Sequence, residues 1–193
     1  DNMFLTMDFD VEVTPDTSQI ILLKNRDNLY DGKIKAGDFV YTGHNFKFSY
    51  DEFKVDMPAI DSIRIQLHQD SLGNESTVKN QLTGTSGALY LDYPDDKAGK
   101  IITEHYPYFI SNSESVVYFD VPEILGVAYD KSVFFVVPPF EEDSLDLDSA
   151  INFVGQFNSG GIFPTFDETL EIQSDKSLGY VNDIPEEGYM IYG

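Results

Sequence analysis

The 193 residues carry 34 acidic against 12 basic side chains, a formal net charge of −22, with no cysteine and with 15 Phe and 12 Tyr. That balance disfavours nucleic-acid binding, which needs locally concentrated positive charge, and the missing thiols exclude a disulfide framework, a thiolate metal site and a cysteine nucleophile. No apolar run approaches the ~18 residues that cross a bilayer as a helix, whereas a 41% hydrophobic content is ample for a folded core.

Along the chain, Phe4, Met7, Phe9, Val11 and Val13 read as one alternating strand stopped at Thr14-Pro15-Asp16, followed by a short apolar strand from Gln19 to Lys24. The clearest signal lies between Lys33 and Leu67. There the apolar residues recur at every second position: Phe46, Phe48 and Tyr50, then Phe53, Val55 and Met57, then Ile63, Ile65 and Leu67. Lys47, Ser49, Lys54, Asp56, Arg64 and Gln66 fill the intervening positions. Successive side chains of an extended backbone point to opposite faces, so this pattern predicts a strand meander with one greasy and one polar face. Breaks at Gly43-His44-Asn45 and at Met57-Pro58-Ala59 predict turns.

Residues 69–77 read as a polar loop, and Ala88 to Tyr93 as a strand ended by Pro94-Asp95-Asp96. His105 to Phe109 is extended, since Pro107 keeps its predecessor out of the helical region. Val116 to Val121 and Val133 to Val137 suit buried strands, and Ile124 to Tyr129 fits a short strand or a helical turn. Glu141 to Asp148 reads as an acidic loop, Ala150 to Phe157 as strand or helix, and Leu170 to Gln173 and Leu178 to Val181 as two last strands. The expected fold is all-β, an antiparallel meander that forms a sandwich or an open curved groove, with little helix. Two β-rich subdomains, 1–75 and 76–193, or one continuous domain accommodate it. Strand-like text at both ends predicts a segment of a longer protein.

Chemistry is sparse. Gly84-Thr85-Ser86-Gly87 is the kind of turn that surrounds a nucleophilic serine, with His44 and Asp61 as imaginable partners, but the spacing is compressed and a plain glycine-rich turn accounts for it. His44, His68 and His105 stand apart from one another, in no metal-ligand spacing. Among Glu141, Glu142, Asp143, Asp146 and Asp148, the three aspartates are the candidate calcium ligands, because calcium takes several oxygens from a flexible loop. The loop lacks the DxDxDG order, so a solvated acidic surface with no bound cofactor is the expectation. Tyr106, Tyr108 and Tyr129 are suited either to stacking on sugar rings or to the core.

The tripeptide Asp-Ser-apolar occurs at Asp61-Ser62-Ile63, Asp70-Ser71-Leu72, Asp143-Ser144-Leu145 and Asp148-Ser149-Ala150. It resembles the O-glycosylation signal of exported Bacteroidota proteins, which implies Ser62, Ser71, Ser144 and Ser149 as candidate acceptors. The blocks LTGTSGALYLDYPDDKAGK and GGIFPTFDETLEIQSDKSLGYVNDIPEEGYMIYG resemble segments of very large exported proteins of the same group. That resemblance implies a β-rich section of a cell-envelope protein, in the periplasm, the outer membrane or at the surface. Its partners would be neighbouring domains of the same protein or another envelope protein. KIKAGDFVYTGHNFKFSY is also similar to the β-grooves of AsmA-type lipid-transfer proteins, which implies an apolar groove for lipid. The expected function is a non-enzymatic structural or protein-interaction module, with a lipid-carrying groove or a carbohydrate-binding module as alternatives.

Overall fold

A computed structural model describes residues 3–6, 11–67, 76–101, 105–122, 129–143, 145–146, 151–182, 186, 188 and 191. Among the described residues the alternating runs of the central meander become strand. The strands are β1 (Met3–Phe4), β2 (Val11–Pro15), β3 (Ile21–Leu22), β4 (Asn28–Ala36), β5 (Phe39–Ser49), β6 (Lys54–Leu67), β7 (Ser76–Thr77) and β8 (Leu82–Tyr90). They continue as β9 (Tyr108–Ser111), β10 (Ser115–Tyr118), β11 (Val133–Val137), β12 (Glu141–Glu142), β13 (Asn152–Ser159), β14 (Phe166–Ile172) and β15 (Leu178–Gly179). Among the described residues, helix is limited to a 3-10 turn at Lys24–Arg26 and an isolated helical residue at Pro122. The expected all-β antiparallel fold with little helix is what the chain adopts.

All the described strands join one sheet, whose main path runs β1-β2-β4-β5-β6-β8-β10-β11-β13-β14-β15. Residues 68–75, which contain the expected subdomain boundary, lie outside the described residues. The sheet passes across that boundary, since β6 pairs β8 from Lys54↔Tyr90 to Ile63↔Leu82. Curling into a half-barrel turns one face inward. Phe39, Tyr41, Phe46, Phe109, Phe135 and Phe153 are fully buried there, within one apolar cluster that extends from Val11 to Leu178.

Several local expectations change; among them, Gly84-Thr85-Ser86-Gly87 lies inside β8 rather than in a turn. The breaks in parity within the central meander are bulges inside long strands rather than turns: the β5–β6 register shifts between Thr42 and Gly43, and the β6–β8 register between Met57 and Ile60. An extra residue in one strand moves every later side chain to the other face, which a pattern of two cannot distinguish from a turn. Asn45 takes a left-handed φ of 58° where the β4–β5 register also shifts, between Tyr30 and Gly32, and Pro58, which has no N–H to pair, sits exposed at the β6–β8 bulge. The first alternating run is a hairpin instead of one strand, because Met3 pairs Val13 and Phe4 pairs Glu12. The acidic segment opens with a short strand, β12, and the ambiguous run near Ala150 is strand β13.

Two glycines let aromatic rings lie close against the sheet backbone. A Cβ at Gly87 would strike the Ile110 carbonyl and the Phe109 ring, and one at Gly155 would strike the Val136 carbonyl and the Phe135 ring. Both rings thus lie over bare backbone. Phe109 is 1% exposed and also packs on Tyr41 at 4.9 Å between ring centroids. Phe109→Ala should lower unfolding free energy by about 3–5 kcal/mol in chemical denaturation. Val154→Ala, at an outward position 67% exposed, should change it by less than about 0.5 kcal/mol. Equal effects would place the core on the wrong face.

Candidate functional site

The residues imagined as a catalytic triad are only partly brought together. His44 stands at the β5 bulge with Nε2 3.0 Å from Asp61 Oδ2 and Nδ1 4.0 Å from Asp31 Oδ1, all three side chains more than half exposed. Ser86 on β8 is held elsewhere. Its hydroxyl lies 3.0 Å from Ser113 Oγ, which also accepts the Ser86 N–H at 2.9 Å, while Thr85 Oγ1 donates to the Ser113 carbonyl at 2.9 Å. Among the described residues no bond joins Ser86 to His44, whose imidazole is met by the Asp61 carboxylate.

The acidic segment divides in a similar way. Glu142 pairs Phe109 across β12 and β9, and because Phe109 faces inward the Glu142 carboxyl is carried partly into the core. Burial, assisted by the charge of Asp143, pushes its pKa from 4.5 to about 7. Asp143 meets His105 Nδ1 at 3.2 Å, and Asp146 is exposed. Asp148 lies outside the described residues, as do His68, Ser71, Ser144 and Ser149. Among the described residues, no three His, Asp or Glu side chains gather in a group able to hold a metal. Ser62, the remaining candidate acceptor, is 8% exposed and lies between Thr42 and Thr83 in the sheet.

Tyr108 forms part of an aromatic ladder. Tyr90 and Tyr108 are directly paired across β8 and β9, their rings parallel within 6° at 4.6 Å. The Lys54 ammonium stands 5.9 Å from Tyr90, His105 stacks at 4.3 Å on Tyr108, and Tyr106 lies 5.0 Å from Tyr108. Burial, then the neighbouring phenols of Tyr106 and Tyr90, push the Tyr108 hydroxyl up to about 12. A sugar stacks on an uncovered ring face, and in this ladder the faces of Tyr90 and Tyr108 are taken by protein. Tyr129 is 37% exposed.

A different place offers open, polar, convergent groups. Ile63, Ile65, Leu82 and Val117 face the core, so the alternate positions Arg64, Thr83 and Tyr118 project from the outer face of three consecutive strands, β6, β8 and β10. Together with residues 77–81, Asp120, Val121 and Lys131 they line a groove of about 590 Å³. Arg64 Nε donates to Gln81 Oε1 at 2.8 Å, and among the described residues the rest of its guanidinium has no partner. Lys131 rests its ammonium 5.5 Å from the Tyr118 ring, with no carboxylate in ion-pair reach among the described residues. Lys79 is bound to Asp175 at 3.2 Å, and buried Asn80 is committed to the backbone of Leu178. Three of the 12 basic residues of a strongly acidic chain therefore face one groove. In the sequence, Arg64 registers only as an outward polar position, and Lys79, Gln81, Tyr118 and Lys131 carry no motif. Strand pairing alone assembles them. No family model, no curated protein and no solved structure matches the chain.

Two outcomes follow from the acidic segment. Because the folded-state pKa of Glu142 is raised, its contribution to stability is full below about 4.5 and lost as pH rises through about 7. Glu142→Gln should therefore gain roughly 1–2 kcal/mol over the wild type at pH 8, a value discounted for partial exposure, and much less at pH 5. Thermal melts across that range check this. For Asp143 and Asp146, calcium and sodium chloride at matched ionic strength should stabilise equally by screening. A saturable calcium effect lost in Asp143→Ala and Asp146→Ala would show a true cation site.

Proposed function

We propose that this chain is a non-enzymatic interaction module of a large exported cell-envelope protein. The carrying observation is the groove: convergent donors on the outer face of a sheet whose inner face is filled by its own side chains. Such an arrangement offers binding without a reacting centre. Rigid strands, paired on both sides, fix Arg64 and Thr83 in space, which limits the ordering entropy that a partner's arrival would otherwise cost. The lipid-groove alternative needs an open apolar face, and here that face is buried. The resemblance to exported Bacteroidota proteins supports the envelope setting.

A photo-crosslinking residue placed at Thr77 or Lys131, in the full-length protein in its native cells, should yield discrete adducts with an envelope component. The same residue at Val154 or Lys35, outside the groove, should not. Adducts of equal pattern from all four positions, or turnover of an ester or glycan panel that disappears in His44→Ala, would contradict the reading.

A further inference from the structure

We infer that the groove beside Arg64 binds an acidic oligosaccharide, a short chain of hydroxylated rings bearing one or a few carboxylates. The inference rests on the binding-module reading above and names the ligand class.

Charge is the first argument. Gln81 holds Arg64 through Nε alone, which leaves the two terminal nitrogens as a fork, and a fork of parallel N–H groups matches a carboxylate bidentately. Gln81 accepts that bond through Oε1, so its amide N–H groups remain as donors close to the fork. Lys131 supplies a second cation on the same groove, and Asp120 contributes a carboxylate to its lining, able to accept from hydroxyls. Thr77 adds an exposed hydroxyl.

Long-range electrostatics and shape then narrow the class. A net charge of −22 repels dense polyanions such as nucleic acids, whereas a ligand with few charges among neutral hydroxyls meets the local cations with little opposing field. The volume of about 590 Å³ falls within the range of small-ligand sites and is too small for a folded domain. An extended peptide would be held chiefly through backbone pairing with an open strand edge. The groove floor offers none, since β8 is already paired by β6 and by β10. Recognition there must run through side chains reaching a ligand's own hydroxyl and carboxylate groups.

The test uses the whole chain titrated by calorimetry with tetragalacturonate, tetraglucuronate and sialyllactose, each against its methyl ester, and with hexaglutamate as an acidic peptide. At least one acidic sugar should bind about tenfold more tightly than its ester. Arg64→Lys, which keeps the charge and loses the fork, should weaken that binding several-fold. Arg64→Met and Lys131→Met should weaken it further. Lys35→Met, a cation on β4 away from the groove, should leave it unchanged; melting temperatures of the variants confirm that these exposed positions leave the fold intact. Ester and acid binding alike, no binding by any sugar, or an Arg64→Lys variant that binds as well as the wild type would overturn the inference. Tight hexaglutamate binding without sugar binding would also overturn it, while the interaction-module reading would stand on the crosslinks.

Discussion

The side chain of Asn80 holds both backbone groups of Leu178, donating to its carbonyl at 3.1 Å and accepting its N–H at 2.6 Å. The two residues lie 98 positions apart, and the last strand of the main path is thereby tied to the segment that leads into β8. Lys79 N–H to the Lys176 carbonyl at 2.8 Å and the Lys79–Asp175 ion pair extend the clasp. A flat sheet of this width would leave its apolar face in water. Curling and clasping cover it instead, and the buried amide completes the hydrogen bonding that a strand end would otherwise lose. A second tie acts where the β4–β5 turn meets Leu145, whose carbonyl accepts the Asp38 N–H at 2.7 Å. Gly37, with φ of +55°, brings the backbone so near Leu145 that any side chain there would collide.

The outer face follows from this enclosure. With the apolar positions turned inward, the strands present their alternate positions to the outside. Much of that surface neutralises itself: Lys54 bridges Glu52 at 2.6 Å and Asp56 at 3.2 Å, and the bond to Glu52 is the largest cause of its raised pKa. His44 is similarly answered by Asp61, and His105 by Asp143. Arg64 and Lys131 differ in having an amide and a ring for neighbours in place of a carboxylate. That difference, rather than the number of charges, is what the proposed ligand site rests on.

The sequence made the strand content legible because a period of two is a local property. Val133 to Val137 matches β11 residue for residue, and the inward placement of Phe46, Phe48, Val55, Met57, Ile63 and Ile65 follows directly from alternation. The bulges near Gly43 and Pro58 were not legible as bulges, since the same break in parity also describes a turn. The N-terminal hairpin was hidden in the same way, by two short runs of matching period. The groove was the least legible feature. Arg64, Gln81 and Tyr118 become neighbours only through the order β6-β8-β10, and strand order is a non-local fact. Conversely, Ser86 with His44, the most suggestive grouping in one dimension, dissolves in three because Ser113 claims the hydroxyl.

Everything above depends on one continuous, self-filled sheet holding β6 and β8 rigid beneath the groove. Native-state hydrogen exchange measures that directly, since amides in a single cooperative unit exchange only through global opening. The amides of residues 54–65 and 82–90 should be the slowest in the chain, sharing one opening free energy with those of β11 and β13. Separate opening energies for the strands before and after residues 68–75, or fast exchange in β6 and β8, would contradict the account.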